Sequence, residues 1–407
     1  MYLELFVLFT SIFALYYQMI VRRNTIMAVC IGIVGLLAVI GLAIANITAD
    51  EGENELQFVH VVMRHGTRTP ASTYPNDPYI HESFYPIGWG QLTNAGKLLQ
   101  YNTGKYLRER YGKFLGDNYY PDEYYTQSTD VDRTKASVQL TNAGLWPPSA
   151  VQTWGPIDWQ PVPVHAQPLD QDDLLLVRVP CARYHQELNA VKQSKEVRKL
   201  YDENQELFRN LQRVTNMTVK EFDDVQDIYT TLKAEESFNL TLPSWITEYY
   251  PEKMEFASGF SYYLTSYNDQ LRRLKGGPLL KKITEDWKAK RDGTIRPKSR
   301  KAVLYGGHDF TIANILGALK VLEPHTPDYG VAVLLELYKN TKTNDYWVEI
   351  FYRNSTEVAP TKLTLPGCST RCPLDKVLEL TKAVIPGDFA EECKTDEDVT
   401  IPTPIGP

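Results

Sequence analysis

The sequence predicts an α/β protein with a doubly wound, mainly parallel sheet flanked by helices, and with a mainly helical domain inserted into it. Apolar strand-like segments alternate with helical segments over residues 51–160 and again over 296–393, which is the pattern of strands joined by crossover helices. Between these parts, residues 161–295 consist of charged amphipathic segments. We therefore expect an α/β domain of 51–160 and 296–393, a helical insertion of 161–295 and a flexible tail of 394–407.

The first predicted strand is Leu56–Met63, a short apolar run bounded by polar residues and typical of a strand buried on both faces. A turn with Gly66 and Pro70 ends it. The helix Thr93–Tyr111 follows, with Thr93 as its cap and Gly112 just past its end. The same signals predict strands at Tyr124–Thr129, Lys301–Gly306, Val331–Tyr338 and Tyr346–Tyr352, and helices at Val131–Leu145, His185–Thr215, Val219–Phe238, Met254–Leu274, Leu279–Lys290 and Phe310–Leu322.

Residues 1–50 predict entry into the secretory pathway. Residues 25–45 run for 21 positions without a charge, and Arg22 and Arg23 precede them, so the segment is long enough to span a bilayer with the following chain outside. Small residues at its end also suit cleavage as a signal peptide. A second apolar run at 5–20 leaves both interpretations open. The membrane is expected as a partner only through this part of the chain.

Sequons and cysteines agree with export to a secreted, lysosomal or extracellular-facing location. The sequons predict glycosylation at Asn46, Asn216, Asn239 and Asn354. Four cysteines follow the leader, at positions 181, 368, 372 and 393, and an even number suits two disulfides. Cys368 and Cys372 are close enough for a local loop, with a metal site as the alternative, whereas Cys30 lies within the apolar leader.

The net charge of −7 disfavours nucleic acid as a partner, because binding a phosphate backbone requires a basic face. The stretch 272–301 holds twelve Lys/Arg against three acids, and we interpret it as a solvated helix face and linker. A small anion is still a suitable ligand, since a local cluster of arginines attracts it on an acidic protein. A homodimer is a further partner to be tested.

Phosphoryl transfer needs fixed cations around the transferring group, a nucleophile on one side and a proton donor on the other. Arg64 and Arg68 flank His65 on the tight turn that ends the first strand. A guanidinium group holds two phosphate oxygens at once, and a neutral imidazole can attack phosphorus. The arginines should keep the ring neutral in mildly acidic conditions.

A second loop supplies the remaining groups at the end of the strand Lys301–Gly306. His308 is placed to donate a hydrogen bond to phosphate, and Asp309 to protonate the departing oxygen and later to activate water. Both histidine loops lie at carboxyl ends of strands, where open α/β sheets bind ligands. No cofactor or metal is expected, because guanidinium groups can fill the electrostatic role of Mg²⁺.

These motifs resemble the histidine acid phosphatases, over roughly residues 55–393. The matching segments are FVHVVMRHGTRTP (58–70), STDVDRT (128–134), GGHD (306–309) and LPGCSTRCPL (365–374), and YPNDPY, FYPIGWGQLTNAGK and LPSW make the chain especially similar to insect members, including venom types. The resemblance implies an α/β domain interrupted by a helical one. It also implies a phosphohistidine at His65, phosphate contacts at Arg64, Arg68 and His308, and proton donation by Asp309. By the same resemblance, Cys368 pairs with Cys372 and Cys181 with Cys393.

One position departs from the family pattern as we interpret it. Members usually carry a third phosphate-binding arginine directly before the STDVDRT run, where this sequence has Gln127. An amide can contact phosphate but brings no charge, and losing one charge-assisted contact costs about 2.7–4 kcal/mol in the transition state. Arg133 is not expected to replace it. We therefore expect turnover that is reduced, with a crippled site as the alternative.

The sequence predicts an acid phosphomonoesterase with small phosphate monoesters as substrates. A secreted phosphatase-like protein that binds phosphorylated ligands with little turnover is the alternative that Gln127 favours, although such a binder would not need His65 and Asp309. A phosphoglycerate-mutase-like activity shares the Arg-His-Gly turn but does not fit export or the pair His308-Asp309. A phytase-like activity is disfavoured because that group tends to use glutamate as the donor.

Overall fold

The computed structural model describes residues 54–354 and 358–401. Contacts group the residues into one unit of 56–339 and 345–407 and a smaller one that includes Asn54, Glu55 and the turn 340–344. In the smaller unit the Asn340 side-chain amide donates to Asn54 Oδ1 (3.2 Å). The larger unit contains the candidate site and nearly all of the sheet.

The larger unit is built on an eight-stranded sheet. The strands are β1 Asn54–Arg64, β2 Tyr124–Thr129, β3 His165–Gln167, β4 Ala302–Gly307, β5 Ala332–Asn340, β6 Tyr346–Arg353, β7 Thr361–Leu363 and β8 Cys372–Pro373. Their order in the sheet is β3-β2-β4-β1-β5-β6-β7, and β8 pairs with β6. The pairs β1–β4, β2–β4 and β2–β3 are parallel, whereas β6 is antiparallel to its neighbours. The predicted fold class is confirmed.

Helices cover both faces of the sheet and fill the long connection between β3 and β4. The helices are α1 Asn94–Leu115, α2 Asp132–Leu145, α3 Ala182–Lys192, α4 Lys195–Glu203, α5 Gln205–Thr215, α6 Phe222–Ser237, α7 Ile246–Tyr249, α8 Glu252–Leu264, α9 Asp269–Lys275, α10 Gly277–Arg291, α11 Asp309–Ala318, α12 Leu374–Thr381 and α13 Phe389–Glu392. Helices α3–α10 lie within the predicted insertion, whose exact boundaries stay a prediction.

The packing of strand β1 on both of its faces explains why its sequence is continuously apolar. Phe58 and Val62 pack into a core with α10 and α11 on one face, while Val59, Val61 and Met63 pack against α1 and α2 on the other. Side chains alternate across a strand, so a strand covered on both faces needs apolar residues at every position. A third core holds the helical region together and includes residues of α3 to α9.

Several predicted helices have different bounds in the structure, and three of them show the physical reason. Helix α1 continues past Gly112 and ends before Gly116, which adopts a positive φ of 82° and donates its N–H to the Gly112 carbonyl. The predicted helix His185–Thr215 is three helices, and Ser194 caps the second of them through Val197 N (3.4 Å). The predicted helix Met254–Leu274 is divided because Asn268 caps α9. In each case a side chain or a glycine satisfies the backbone groups at the new end.

Both disulfides form as the resemblance implied. Cys181 bonds Cys393 and Cys368 bonds Cys372, so the metal alternative for the close pair is wrong. The sequon residues Asn216, Asn239 and Asn354 are exposed. Asn46, Cys30 and the apolar segments 5–20 and 25–45 lie outside the described residues. Within 54–354 and 358–401, no helix is both long and apolar enough to cross a bilayer.

Candidate active site

The structure brings together the two histidine loops that the sequence analysis singled out. The parallel strands β1 and β4 pair with Arg64 opposite Gly307, so their carboxyl ends lie side by side. His65 continues this pairing, since its N–H donates to the Gly307 carbonyl (3.0 Å). As a result the ring centroids of His65 and His308 are 5.3 Å apart. The ends of two neighbouring strands thus form one site.

The turn after His65 is held against two helices at close range. A Cβ at Gly66 would lie 2.4 Å from the Gly96 carbonyl oxygen of α1, so this position requires glycine. A Cβ at Gly96 would in turn lie 2.0 Å from the Thr67 carbonyl oxygen. From α2, Ser137 Oγ accepts a hydrogen bond from Gly66 N (3.1 Å). These contacts fix the backbone that carries His65.

Hydrogen bonds assign the tautomer of His65. Its Nδ1 lies 2.9 Å from the Gly66 carbonyl oxygen, which can only accept, so Nδ1 carries the proton. Its Nε2 receives a hydrogen bond from Arg133 Nε (3.1 Å), which can only donate. Nε2 therefore holds the free electron pair. Burial, followed by the charges of Arg133 and Arg64, lowers the pKa of His65 well below its ordinary value and keeps the ring neutral.

His308 is the opposite tautomer. Its Nδ1 lies 3.5 Å from Arg133 Nη2, which donates, so its Nε2 carries the proton and donates to Thr129 Oγ1 (2.9 Å). Burial, followed by the charge of Arg133, lowers the pKa of His308 well below its ordinary value. In this arrangement Nδ1 accepts and Nε2 donates to Thr129, so the predicted donation from His308 to phosphate stays a prediction.

Three guanidinium groups surround His65. Arg64 and Arg133 are 1% and 6% exposed, and Arg68 is 8% exposed. Within the part of the chain that the structure describes, the buried Nε atoms of Arg64 and Arg68 have no hydrogen-bond partner. Burial, followed by repulsion from Arg68, lowers the pKa of Arg133 to about 9, so the group stays charged at neutral and acidic pH. Buried cations with unused donors make a site for an anion.

Asp309 faces these cations from the first turn of α11. Its Oδ2 lies 2.7 Å from Arg64 Nη2, and its Oδ1 accepts from Phe310 N (2.8 Å). Burial acts to raise the pKa of Asp309, but Arg64, together with His308, the Phe310 N–H and Arg68, outweighs it, so the pKa is lowered. Arg64 is held further by the Pro327 carbonyl and by the Tyr329 ring, whose centroid is 4.3 Å from the guanidinium carbon. The site therefore combines a neutral imidazole, three cations and a carboxylate.

Residues 55–353 match the histidine phosphatase superfamily, branch 2. The chain belongs to this family. The predicted resemblance to histidine acid phosphatases is thus confirmed.

Relatives of this histidine phosphatase include human prostatic acid phosphatase, 38% identical over 84% of this chain and 88% of the relative. Rat lysosomal acid phosphatase is 37% identical over 84% of this chain and 81% of the relative. The honeybee (Apis mellifera) venom acid phosphatase Acph-1 is 38% identical over 82% and 86%, in agreement with the predicted similarity to venom types. The fold also matches the apo phytase of Hafnia alvei, with a TM-score of 0.62 at 17% identity, over 84% of this chain and 99% of that one.

The third guanidinium group beside His65 comes from a residue that the sequence did not predict for this role. The prediction that Arg133 does not supply a third guanidinium group is wrong, because α2 begins directly after β2 and its second residue, Arg133, donates to His65. Gln127 lies instead in the body of β2, half-buried, where it pairs with Tyr305 and His165. The guanidinium groups that act on His65 belong to Arg64, Arg68 and Arg133.

Sequence reasoning also missed three residues around the site. Thr129 ends β2 and accepts from His308, and Tyr329 lies 5.9 Å from the His65 ring. Tyr262 comes from α8, in the helical region, and its ring packs on Phe310, the residue after Asp309, with centroids 4.7 Å apart. Thr129 and Arg133 both belong to the STDVDRT run, so that motif contained a signal for them. Tyr262 and Tyr329 belong to no motif quoted for the family, and only the packing of distant segments brings them to the site.

Proposed function

We propose that this histidine phosphatase hydrolyses phosphate monoesters through a phosphohistidine on His65 Nε2. The observation that carries the proposal is the tautomer of His65. Its free electron pair lies on the nitrogen that faces Arg133, while Arg64 and Arg68 offer unused buried donors nearby. A phosphoryl group placed among these cations meets a neutral nucleophile and compensating positive charge in one place.

In the first step, the electron pair of His65 Nε2 forms a bond to phosphorus and the bond from phosphorus to the ester oxygen breaks. The leaving oxygen takes a proton from the carboxylic acid of Asp309 and departs as an alcohol. Arg64, Arg68 and Arg133 hold the three remaining phosphoryl oxygens. The contact between Arg133 and His65 in the free protein is exchanged for a contact to phosphate, so the guanidinium is already in place when the substrate enters.

In the second step, a water molecule attacks phosphorus and gives a proton to the Asp309 carboxylate. The bond from phosphorus to nitrogen breaks, its electron pair returns to His65, and phosphate leaves. Asp309 therefore has to alternate between its acid and its carboxylate. The Arg64 contact favours the carboxylate in the free protein. A phosphate that draws Arg64 away and places negative charge beside Asp309 favours the acid, and low pH acts in the same direction.

Normal rather than reduced turnover is part of this proposal. Its support is that the charges of Arg133, Arg64 and Arg68 all act on His65, so three guanidinium groups are at hand without a contribution from Gln127. A pure binding function is the alternative that the experiment has to exclude.

Trapping the phosphoenzyme tests the proposal directly. Wild type and His65→Ala are mixed with a ³²P-labelled phosphomonoester at mildly acidic pH and quenched in alkali, because phosphohistidine is labile in acid. We expect label on His65 and steady-state turnover in the wild type, and neither in His65→Ala. Turnover that survives in His65→Ala would overturn the nucleophile assignment. Binding of phosphate by a wild type without turnover would support the phosphatase-like binding protein.

We further propose that the protein works in an oxidising compartment along the secretory route. Two disulfides and exposed asparagines in sequons agree with this location, and relatives carry the names lysosomal, prostatic and venom acid phosphatase. The proposal includes glycosylation at Asn46, Asn216, Asn239 and Asn354. It also includes an N-terminal leader that is either cleaved or retained as an anchor, and assembly into a homodimer.

A further inference from the structure

Backbone hydrogen bonds place Tyr329 beside the nucleophile of the proposed reaction. Arg64 N donates to the Val331 carbonyl (2.9 Å), and Gly330 N donates to the His65 carbonyl (3.1 Å). The chain just before β5 therefore runs alongside the end of β1. Gly330 has a positive φ of 70°, a conformation that glycine adopts without strain, and this turn leads from Tyr329 into the strand.

The ring of Tyr329 lies against the guanidinium group of Arg64. The guanidinium carbon lies over the ring, 4.3 Å from its centroid. Arg64 is 1% exposed, and the attraction between a cation and an aromatic face is strongest where water is excluded. The centroid of the same ring lies 5.9 Å from that of His65. One side chain is thus next to both a phosphate-binding cation and the nucleophile.

The other contacts of Arg64 show what the ring has to preserve. Arg64 Nη1 donates to the Pro327 carbonyl, and Nη2 lies 2.7 Å from Asp309 Oδ2. The buried Nε has no hydrogen-bond partner among residues 54–354 and 358–401. In the proposed reaction Arg64 passes from Asp309 to the phosphoryl group. While that ion pair is released, the Tyr329 ring and the Pro327 carbonyl still hold the guanidinium group.

The helical region holds the same segment from the other side. Tyr329 N donates to Asp328 Oδ1 (3.0 Å), and this oxygen also lies 3.1 Å from Lys233 Nζ of α6. The hydroxyls of Thr326 and of Ser258 on α8 form a hydrogen bond of 2.8 Å. The chain that carries the ring is therefore fixed between β1 and two helices, so the ring does not have to follow a movement of the arginine.

We propose that Tyr329 is a positioning residue for Arg64, whose ring keeps the guanidinium group beside His65 while the ion pair with Asp309 is exchanged for a contact to the phosphoryl group. This inference rests on the proposed function, since it assumes that exchange. A cation that is already in place stabilises the transition state without reorganisation at the moment of reaction. The ring acts through its face, so the hydroxyl of Tyr329 is not required.

The test is a set of substitutions at position 329, measured as kcat/KM at mildly acidic pH with p-nitrophenyl phosphate and an alkyl phosphate. Tyr329→Phe keeps the ring and should stay within about twofold of the wild type. Tyr329→Leu removes the ring and should lower kcat/KM by about threefold to thirtyfold, the value of a cation–π contact shielded from water. Both substrates should lose equally, because Arg64 contacts the phosphoryl group that they share.

A double-mutant cycle shows whether Tyr329 acts through Arg64. Arg64→Ala removes the group that the ring is proposed to hold. Adding Tyr329→Leu to Arg64→Ala should therefore change kcat/KM by less than about twofold, since two residues that act as one unit are not additive. A loss as large as in the wild-type background would mean that Tyr329 does not act through the arginine.

Pentafluorophenylalanine at position 329 supplies the answer if Tyr329→Leu does not fold. Fluorine withdraws electron density from the ring face and removes its attraction for a cation, but the ring keeps its shape. We expect kcat/KM to fall as in Tyr329→Leu. Tyr346→Leu is the matched control, because its half-buried ring lies 5.7 Å from Lys339 Nζ, at the end of β5 remote from the site. Its kcat/KM should equal that of the wild type.

The possible failures are distinguishable. A wild type with the activity of His65→Ala means that the proposed function is wrong. An active wild type combined with an unimpaired Tyr329→Leu, or with a Tyr329→Phe that is as impaired as Tyr329→Leu, means that the positioning role is wrong. A loss confined to p-nitrophenyl phosphate also overturns it, because the ring would then contact the aromatic leaving group rather than act through Arg64.

Discussion

Arg133 Nε donates to His65 Nε2 at 3.1 Å, so a guanidinium group occupies the direction from which a phosphoryl group would approach the nucleophile. The same guanidinium reaches His308 Nδ1 through Nη2 at 3.5 Å. One cation thus lies between the two histidines and assigns the tautomer of both. Because an arginine can only donate, it leaves His65 with its electron pair in the pocket. Arg133 therefore determines the resting state of both histidines, and phosphate binding by Arg133 is part of the proposed function.

Replacing Arg133 should reduce activity far more than replacing Gln127. Arg133→Ala removes a cation from the oxygens that become more charged in the transition state, and we expect kcat/KM to fall about a hundredfold to a thousandfold. Gln127→Ala and Gln127→Arg should stay within about threefold of the wild type, because the cations that act on His65 come from Arg133, Arg64 and Arg68 and only donors aimed at the developing charge stabilise the transition state. Steady-state kinetics at mildly acidic pH provide the measurement. A large gain from Gln127→Arg would restore the reduced-activity hypothesis.

Replacing Asp309 should discriminate between leaving groups. Asp309→Asn keeps the shape of the side chain but cannot deliver an acidic proton. We expect kcat/KM to fall at least about a hundredfold for an alkyl phosphate, which is the usual contribution of a general acid, and clearly less for p-nitrophenyl phosphate, whose leaving group is stable as an anion. The ratio between the two substrates is the readout. An equal loss for both would assign Asp309 to binding rather than to proton transfer.

The sequence predicted the catalytic ends of β1 and β4 well, because those signals are local. Continuous apolar runs followed by Gly66 and by Gly307 predict buried strands that end in tight turns, and the structure has β1 and β4 at those places. The fold class followed from the same pattern, since strands buried on both faces need helices on both sides.

Side-chain direction was the part that the sequence did not predict. Gln127 and Arg133 are only six positions apart, but one lies in a strand and the other on the first turn of a helix that points it at His65. That difference depends on where β2 ends and α2 begins. The place of Tyr262 is further from any local signal, because its packing on Phe310, the residue after Asp309, requires α8 to lie across the start of α11. Contacts between distant segments leave no local pattern.

Removing the long-range disulfide should destabilise the protein more than removing the local one. Cys181–Cys393 closes a loop with a sequence separation of 212, whereas Cys368–Cys372 closes one of 4. Chain entropy gives the long bridge roughly 5 kcal/mol, and more than the short bridge. Thermal unfolding of Cys181→Ala/Cys393→Ala and of Cys368→Ala/Cys372→Ala measures both. Equal losses in the two double variants would show that packing, rather than loop closure, determines the effect.

A buried carboxyl pair should make stability depend on pH. Glu235 of α6 is fully buried beside Asp77, which is 3% exposed and accepts from Thr73 Oγ1 and from Tyr79 N (2.7 Å). Burial, followed by the Asp77 charge, raises the pKa of Glu235 to about 8, so Glu235 holds a proton in the folded protein.

The raised pKa of Glu235 determines the direction in which the stability of the fold changes with pH. Because the folded protein binds the proton more tightly than the unfolded chain, the contribution is complete below the unfolded pKa of about 4.5 and is lost as the pH rises through about 8. We expect the Tm of the wild type to fall by several degrees between pH 5 and pH 9, and the Tm of Glu235→Gln to fall less. Glu236→Gln, at the exposed neighbouring position, is the control and should follow the wild type. A Glu235→Gln curve parallel to the wild-type curve would mean that other groups cause the alkaline loss. A flattened curve would show that this buried acid makes the fold most stable at the acidic pH where its chemistry is proposed to run.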